Sequence, residues 1–295
     1  MAKPNMVVIG LPGAWSSEAL AAAVVAKTGR CPLINMQDVW LDLPHNALRC
    51  GEFNLCQFDG LMVKKLGAEY SPTTLDRLEL LRVAEAAGVR VFSPATNMLR
   101  LIDRLSCTVT LRNHGIPMPP TCVTEDIDIA LAAVARFGSA VFKPLYSTKA
   151  RGMVVIAAAD PLEKQRREIV QFHRHHPMLY IQKRLALPGQ DFGMIFLGGE
   201  YLGTYARVSQ EGSWNTTIHS GGRYAACQPE QSLIDLAYRA QAPFAMDFTT
   251  VDVAETEDGP VVFEVSAFGG FRGAKEGCGL DAAACYADYA LQVLA

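Results

Sequence analysis

Residues 249–267 read TTVDVAETEDGPVVFEVSA, which predicts two short strands joined by a tight Asp-Gly-Pro turn. One strand contains Asp252 and the other contains Glu264, each between apolar neighbours. Strands joined this closely place the two carboxylates side by side, where they repel and resist ionisation unless a cation holds them. Magnesium is the natural cation, because it accepts one or two carboxylates and leaves its other positions to water and phosphate. The alternative is a pair of exposed carboxylates at a sheet edge.

A second pair of predicted strands is joined by a basic loop. Lys143 lies near the end of the apolar strand over residues 140–144, where an ammonium group is costly unless it meets an anion such as a nucleotide phosphate. The loop adds Ser147, Thr148 and Lys149 as donors to phosphate oxygens. Because it contains a single glycine, it is neither a P-loop nor a dinucleotide fingerprint. A solvated hairpin loop is the alternative interpretation.

Two further stretches mix glycine with polar groups. Residues 267–275 combine three glycines with Arg272 and Lys275, which suits an acidic substrate or a transferring phosphoryl group, and a flexible loop is the alternative. Residues 214–223 combine hydrogen-bonding side chains, a glycine pair and His219, which could equally be an ordinary core or surface histidine. The histidines interpreted as solvated are His173, His175 and His176.

The composition excludes several classes of protein. The chain has 295 residues, 50 % of them apolar and 19 % charged, which is unlike a disordered chain. Its formal net charge of −3 does not suit a non-specific nucleic-acid binder. No apolar run is long enough to span a membrane or to form a signal peptide, so we expect a cytoplasmic protein. The eight cysteines are scattered without a CxxC pair, which agrees with a reducing compartment.

The first hundred residues alternate predicted strands and helices, which favours an α/β unit with a parallel sheet. A candidate boundary follows at Ser93-Pro94, and one continuous helix is expected beyond it over residues 98–113. The other expected helices cover residues 16–26, 73–87, 127–137 and 163–173. The expected strands cover residues 6–10, 32–35, 60–65, 89–92, 140–144, 153–158, 178–182, 192–197, 201–207, 249–253 and 261–265.

The order of these clusters resembles the ATP-grasp superfamily and, within it, the RimK-like glutamate ligases. The resemblance covers residues 97–295 and is strongest in GPVVFEVSA at 259–267 and in the glycines that follow. The Gly-Ala-Lys run at 273–275 further resembles the branch called GAK-system ATP-grasp proteins. The implied architecture is an ATP-grasp fold preceded by a Rossmann-like domain. The implied domains are a Rossmann-like domain over 1–96 and two α+β subdomains over 97–186 and 187–295, which clasp ATP between them.

The resemblance also implies which residues contact the nucleotide. Arg104 corresponds to the basic member of the family's Asp-Lys pair, and Lys143 corresponds to its first nucleotide-binding lysine. Both would contact phosphate groups. The other implied nucleotide-binding residues are Ser147, Thr148 and Lys149 in the mobile phosphate loop, Gln182, Lys183, Arg184 and Leu185 in the hinge strand beside adenine, Asp191 in the second subdomain, and His219 in a stretch like the family's Leu-His-x-Gly-Gly.

Metal-binding and catalytic residues are implied in the same way. Asp252, Glu264 and Ser266 would hold magnesium, with manganese as an alternative metal. Arg207 and Arg272 would be catalytic and would face the transferring phosphoryl group or the acid substrate.

Three positions depart from the family pattern. Ser266 stands where the family has an Asn ligand, Lys183 stands where the hinge usually has Glu, and Thr217 replaces an Asn. The phosphate loop has also lost a glycine. A serine hydroxyl can ligate a metal directly or act through water.

The resemblance implies an ATP-dependent carboxylate–amine ligase, in which ATP phosphorylates a carboxylate and an amine attacks the acyl phosphate. Two alternatives stay open: a nucleotide-binding regulatory module without turnover, and an ATP-grasp phosphotransferase that acts on a hydroxyl. The expected partners are small-molecule or peptide carboxylates and amines, with no nucleic acid and no membrane. Self-association into a homo-oligomer is left open.

Overall fold

The computed structural model describes residues 3–148, 150–209, 216, 218 and 221–295. Its first elements are β1 (Met6–Ile9), α1 (Trp15–Thr28), β2 (Leu33–Ile34), β3 (Trp40–Asp42), β4 (Ala47–Cys50), β5 (Phe53–Asn54), β6 (Gly60–Val63), α2 (Pro72–Ala86) and β7 (Arg90–Phe92). Four of the strands form a parallel sheet in the order β2-β1-β6-β7, so the predicted parallel sheet is confirmed. The four residues of β1 are all buried, as expected for a parallel sheet covered on both faces.

The strand order of this sheet creates a crevice at one edge. The chain passes from β1 to β2 on one side and then crosses to β6 on the other side of β1. The carboxyl ends of β1 and β6 therefore border a topological switch point, the place where open α/β sheets bind ligands. Lys64 follows β6 at this edge, and residues 10–14 lead from β1 into α1.

The start of α1 differs from the sequence-based expectation. A helix was expected over residues 16–26, but it begins at Trp15, and the methyl side chain of its N-cap residue Ala14 cannot accept a capping hydrogen bond. The Oγ atom of Ser17 instead accepts a hydrogen bond from the Leu11 N–H at 3.1 Å. Ser17 thus stabilises the turn that precedes the helix.

An antiparallel meander of β3, β4 and β5 was not predicted. Its strands are only two to four residues long, which is too short to show a period-two pattern. Three short 3₁₀ turns, at Met36–Asp38, Leu43–His45 and Leu55–Gln57, connect this region.

The middle of the chain builds an antiparallel sheet backed by helices. Its strands are ordered β10-β9-β11-β8, and the side chains of Phe142 and Phe172 meet edge to face between the sheet and a helix at 5.7 Å. The elements are α3 (Ala95–Ile102), α4 (Arg104–Asn113), β8 (Thr121–Thr124), α5 (Ile127–Phe137), β9 (Ser139–Lys143), β10 (Val154–Ala157), α6 (Leu162–His173) and β11 (Leu179–Lys183).

The single helix expected over residues 98–113 is wrong, because Asp103 divides it into α3 and α4. Asp103 has an extended backbone, and its carboxylate accepts a hydrogen bond from the Leu105 N–H at 3.0 Å. This is the arrangement of an N-cap, which begins a new helix at Arg104. The interruption places Arg104 at the first position of α4 and thereby fixes where its side chain begins.

The last part of the chain builds a five-stranded antiparallel sheet in the order β14-β13-β12-β15-β16. Its elements are β12 (Gln190–Leu197), β13 (Glu200–Val208), β14 (Arg223–Ala226), α7 (Gln231–Gln241), β15 (Phe248–Thr256), β16 (Gly259–Ser266), α8 (Phe271–Cys278) and α9 (Ala282–Val293). A 3₁₀ turn at Ala242–Phe244 follows α7. Leu20 of α1 and Tyr286 of α9 belong to one buried cluster, which joins the first and last parts of the chain.

The glycine-rich stretch 267–275 is not a loop throughout, because its second half forms the start of α8. Gly273 and Gly277 lie on the face of α8 that meets Tyr205, Gly273 at the ring and Gly277 at the Cβ atom, and Gly193 of β12 also lies at the ring. A Cβ atom at any of these glycines would collide with Tyr205. The glycines therefore allow close packing of the helix on the sheet.

None of the helices in the described ranges is long and apolar enough to cross a membrane. The longest of those named above, α2, has 15 residues, whereas a spanning helix needs about 20.

Candidate functional site

The carboxylates of Asp252 and Glu264 lie opposite each other on β15 and β16. The predicted cross-strand pair is therefore confirmed. Their side chains are exposed by only 20 % and 32 %, which argues against two fully solvated carboxylates. Burial raises the pKa of Asp252 to about 6, and the charges of Asp191 and Glu264 act in the same direction, while Arg207 opposes them. The pair has the electrostatic character expected of a cation site.

Arg207 contacts the carboxylates of both Asp191 and Asp252. It lies opposite Asp191 across β12 and β13, and both its Nε and its Nη2 donate to that carboxylate. Its Nη2 atom also lies 3.1 Å from Oδ2 of Asp252. Burial opposes the charge on Arg207, but the two carboxylates outweigh it and raise the pKa of the guanidinium. Arg207 is therefore a fixed cation beside the carboxylate pair.

Arg104 links the middle sheet to the last one. Its Nη1 donates to Oε2 of Glu264 at 3.1 Å, and its Nε donates to the Pro144 carbonyl at 3.2 Å. A longer contact of 3.4 Å joins its Nη2 to Oγ of Ser147. Arg104, Ser147 and Glu264 line one small cavity. Ser147, predicted to bind phosphate, and Glu264, predicted to bind the metal, thus meet at the guanidinium of Arg104.

Lys143 is buried at the end of β9. Its Nζ donates to Oε1 of Gln182 at 2.5 Å and lies 5.4 Å from the centre of the Phe263 ring. Burial, helped by the charge of Arg104, lowers the pKa of Lys143 to about 7. No carboxylate oxygen of a described residue lies within 4.0 Å of its ammonium group, so an anionic ligand would meet an incompletely compensated charge.

The residues predicted to contact adenine lie at the end of β11 and directly after it. The side chain of Gln182 is buried and donates to Oγ1 of Thr121 at 3.2 Å. The backbone N–H groups of Lys183 and Arg184 donate to the carbonyls of Pro120 at 2.8 Å and Ser139 at 2.9 Å. These bonds hold the segment against its neighbours. The side chain of Arg184 is exposed, and Leu185 is half-buried. Their contacts with adenine stay predictions.

Ser266 lies two residues beyond Glu264 on β16, and therefore on the same face of the strand. It pairs with Thr250 across the sheet, next to the Asp252–Glu264 pair. Two carboxylates and a hydroxyl on one face are hard oxygen donors, which fit magnesium bound partly through phosphate and water. No group of three or more His, Cys, Asp or Glu side chains with metal-binding geometry occurs in the described part of the chain. The residues therefore fit an ion shared with a bound phosphate.

Arg272, predicted to be catalytic, stands apart from this cluster. Arg272 lies on the exposed side of α8, where its Nε is 3.7 Å from Oε1 of Glu276 and its guanidinium lies over the ring of Trp15. The structure does not bring it into contact with Arg207 or with the carboxylate pair. The predictions on Lys149 and His219 lie outside the described residues. Thr148 is half-buried, and its carbonyl accepts a hydrogen bond from the Arg151 N–H at 3.3 Å.

Sequence reasoning missed Phe263 and Lys64. Phe263 directly precedes Glu264 on β16, and its apolar side chain gave no sign of a functional role. Its ring nevertheless lies over the ammonium group of Lys143. Lys64 had the same signal as Lys143, an ammonium group directly after an apolar strand. It is buried, and it donates to the carbonyls of Phe268 at 2.8 Å and Gly269 at 3.1 Å. Lys64 thus holds the loop that follows Ser266.

Comparison with known proteins agrees with this geometry. A sequence model of the RimK-like ATP-grasp domain matches residues 102–290. The chain is 26 % identical over 259 residues to a tetrahydromethanopterin:alpha-L-glutamate ligase of Methanosarcina acetivorans, covering 83 % of this chain and 80 % of that one. The RimK domain ATP-grasp protein of Sphaerobacter thermophilus has a similar structure, with a TM-score of 0.74 and 21 % identity, over 97 % of this chain and 98 % of that one.

A second solved structure is similar over the whole length of this chain. It is the ATP-grasp ligase PsnB with a phosphomimetic variant of its minimal precursor, Mg and ADP. The TM-score is 0.76 at 17 % identity, over 100 % of this chain and 99 % of that one.

The fold and the site together define an ATP-grasp ligase. Because the matched domain spans well over half of its length, the chain belongs to the RimK-like ATP-grasp family. The predicted family, the ATP-grasp fold and the class of reaction, ATP-dependent carboxylate–amine ligation, are thereby confirmed. ATP and magnesium are the ligands typical of the family, and manganese stays a prediction.

Proposed function

We propose that this ligase binds ATP and magnesium between the middle sheet and the last sheet, and activates a carboxylate as an acyl phosphate for attack by an amine. The observation that carries the proposal is the position of Arg104. Its guanidinium contacts Glu264 of the last sheet and Pro144 and Ser147 of the loop after β9. Cations for phosphate and carboxylates for magnesium therefore converge at one place.

Arg104 and Lys143 would bind phosphate oxygens, with Ser147, Thr148 and Lys149 of the following loop. The low pKa of Lys143 supports this role, since a buried ammonium is stabilised by an incoming anion. The hinge residues that would lie beside the adenine ring are Gln182, Lys183, Arg184 and Leu185, and the remaining nucleotide contacts would come from Asp191 and His219.

Asp252, Glu264 and Ser266 would hold magnesium. Bound there, the ion would offset negative charge on the phosphates of ATP. The carboxylates of Asp252 and Glu264 already accept from Arg207 and Arg104, and each retains lone pairs for a further partner.

Arg207 would stabilise the charge that develops on the transferring phosphoryl group, because its guanidinium is fixed by two carboxylates before substrate binds. Arg272 is exposed on α8 and is better placed to meet the substrate than the phosphoryl group. The acyl phosphate must also be kept from water, and the surrounding side chains of the closed site would do so.

The substrates are proposed at the level of chemical class. The relative from Methanosarcina acetivorans is named for a pterin and glutamate, and PsnB is complexed with a precursor peptide. Similar chains therefore act on both small molecules and peptides, and this chain would take a carboxylate and an amine from one of these groups. We further propose that its domains cover residues 1–96, 97–186 and 187–295. The substrates would bind near the first domain.

The test is a screen of carboxylic acids, amino acids, peptides and cell extract for substrate-dependent ADP release with magnesium. ADP and phosphate together with an amide product support the ligase. A stable phosphorylated product identifies a phosphotransferase instead. Nucleotide binding without turnover across the whole screen identifies a regulatory module.

A further inference from the structure

The crevice between β1 and β6 is next to α8. Lys64, at the carboxyl end of β6, donates to the carbonyls of Phe268 and Gly269, and its Nζ lies 3.7 Å from the centre of the Phe271 ring. Phe271 is the first residue of α8. The buried ammonium thus attaches the start of α8 to the edge of the parallel sheet where a ligand is expected.

An aromatic side chain and two cations meet at this edge. Trp15 begins α1, directly after the turn that leaves β1, and is 39 % exposed. The guanidinium of Arg272 lies 5.5 Å from the centre of its ring, and the ammonium of Lys275 lies 5.6 Å from it. Because these residues are three apart on α8, they share one face of the helix.

The described residues neutralise the two cations poorly. Among them, Glu276 alone places a carboxylate oxygen within 4.0 Å of Arg272, at 3.7 Å, and none places one within that distance of Lys275. Two like charges on one ring repel each other, just as the two carboxylates of the metal site do. An anion between them would remove the repulsion and accept charge-assisted hydrogen bonds from both.

The opposite face of α8 connects this cluster to the reacting site. Tyr205, which packs on Gly273 of α8, meets Tyr224 edge to face at 5.3 Å. Burial raises the pKa of Tyr224, and the charges of both Arg207 and Arg272 oppose that rise. Arg207 lies opposite Tyr224 across β13 and β14, and α8 packs against both strands. The helix that carries Arg272 is therefore adjacent to the strand that carries Arg207.

We infer that Trp15, Arg272 and Lys275 bind a second anionic group of the substrate, a carboxylate or a phosphate, separate from the carboxylate that is activated. The indole ring holds the two cations side by side and packs against the adjoining carbon chain. The inference rests on the proposed function, since it gives the substrate of that same site a chemical class. It makes Trp15 and Lys275 specificity-determining residues and moves Arg272 from the phosphoryl group to the far end of the substrate.

The test compares three acids of similar length: glutarate, 3-phosphonopropionate and butyrate. Each is titrated calorimetrically into the full-length protein, with and without saturating magnesium and ADP. At least one of the two acids with a second anionic group should bind about tenfold or more tightly than butyrate, the usual effect of a charge-assisted contact. A preference for glutarate identifies a carboxylate, and a preference for 3-phosphonopropionate identifies a phosphate.

The double variant Arg272→Gln/Lys275→Gln should bind glutarate and 3-phosphonopropionate as weakly as it binds butyrate. The control variant Arg112→Gln/Arg239→Gln removes two exposed arginines elsewhere and should keep the preference. Equal affinities for the three acids in the wild type, no measurable binding of either doubly charged acid, or a preference that survives in the first variant would overturn the inference. Failure of the proposed function has a different signature, the absence of magnesium–ADP binding in the same titrations.

Discussion

Asp252 and Glu264 occupy opposite positions on adjacent strands, yet each carboxylate is paired with a different arginine. Arg207, which contacts Asp252, comes from the same sheet, whereas Arg104, which contacts Glu264, comes from the start of α4. The two arginines reduce the repulsion between the carboxylates, and with Asp191 three carboxylates meet these two guanidiniums. The pair therefore connects the proposed metal site to the elements that would bind ATP.

Replacing Lys143 with alanine should weaken nucleotide binding by about 1.5–3 kcal/mol, the usual contribution of a charge-assisted hydrogen bond. The reason is the direct loss of a buried ammonium group that meets no carboxylate in the described structure. Calorimetric titration with ADP and magnesium measures the change. Lys164 on α6, whose side chain is 42 % exposed, provides a control, since Lys164→Ala should leave the affinity unchanged. An unaltered affinity in Lys143→Ala would remove this residue from the nucleotide site.

Nucleotide binding near pH 8 should be accompanied by proton uptake at Lys143. The pKa of this group is about 7 in the free protein, so the amine is largely neutral at pH 8. A bound phosphate raises that pKa and favours the charged form. Titrations in two buffers with different ionisation enthalpies give the number of protons taken up. That number should fall in Lys143→Gln, and an equal number in both proteins would contradict the assignment.

Turnover should require magnesium, and Glu264→Gln should abolish it while the protein remains folded. The change keeps the size of the side chain but removes the charge that would bind the metal and that now accepts from Arg104. ADP release measures turnover, and a thermal melt measures folding. Glu257→Gln, in the exposed turn between β15 and β16, is the matched control and should remain active. Substantial turnover by Glu264→Gln would exclude this carboxylate as an essential ligand.

Restoring an amide with Ser266→Asn should lower the magnesium concentration for half-maximal ADP release severalfold. An amide oxygen reaches further than a hydroxyl and is a good neutral ligand for a hard cation. A magnesium titration at fixed ATP compares the two proteins. If half-saturation stays the same or rises while the melting temperature is unchanged, Ser266 is not a weakened metal ligand and serves the substrate or the loop.

Stability should depend on pH through Lys64. Its pKa is lowered from 10.5 in the unfolded chain to about 7 by burial and by the charge of Lys65. Between these values the unfolded state binds more protons than the folded state, so the contribution of Lys64 to stability rises with pH across this window. Urea unfolding at pH 7 and pH 9 should show a larger increase for wild type than for Lys64→Met. The control Lys164→Met, at a side chain that is 42 % exposed, should retain the wild-type increase.

Local sequence patterns predicted those structural features that depend on residues close together in the chain. The pairing of Asp252 with Glu264 followed from two alternating strands and a tight turn, and the position of Lys143 followed from one charged residue after an apolar run. The break at Asp103 was missed because the helical pattern continues on both sides, and the cap depends on a single side-chain hydrogen bond. Helix propensity alone does not show whether such a residue continues a helix or caps a new one.

Long-range contacts were beyond local patterns. The contact between Arg104 and Glu264 joins residues 160 positions apart, and only the family resemblance placed both in one site. The helix α8 was not predicted, and its glycines disfavour helix. What makes the helix favourable here is its packing against Tyr205, which no nearby residue reveals.

The side chain of Tyr205, which packs against Gly193, Gly273 and Gly277, sets the distance between α8 and the sheet. Substitutions on the outward face of the helix, where Arg272 and Lys275 lie, do not touch this packing. That face can therefore diverge between related chains while the helix keeps its position. New substrate preferences could arise by surface mutation alone, with no rebuilding of the catalytic scaffold beneath.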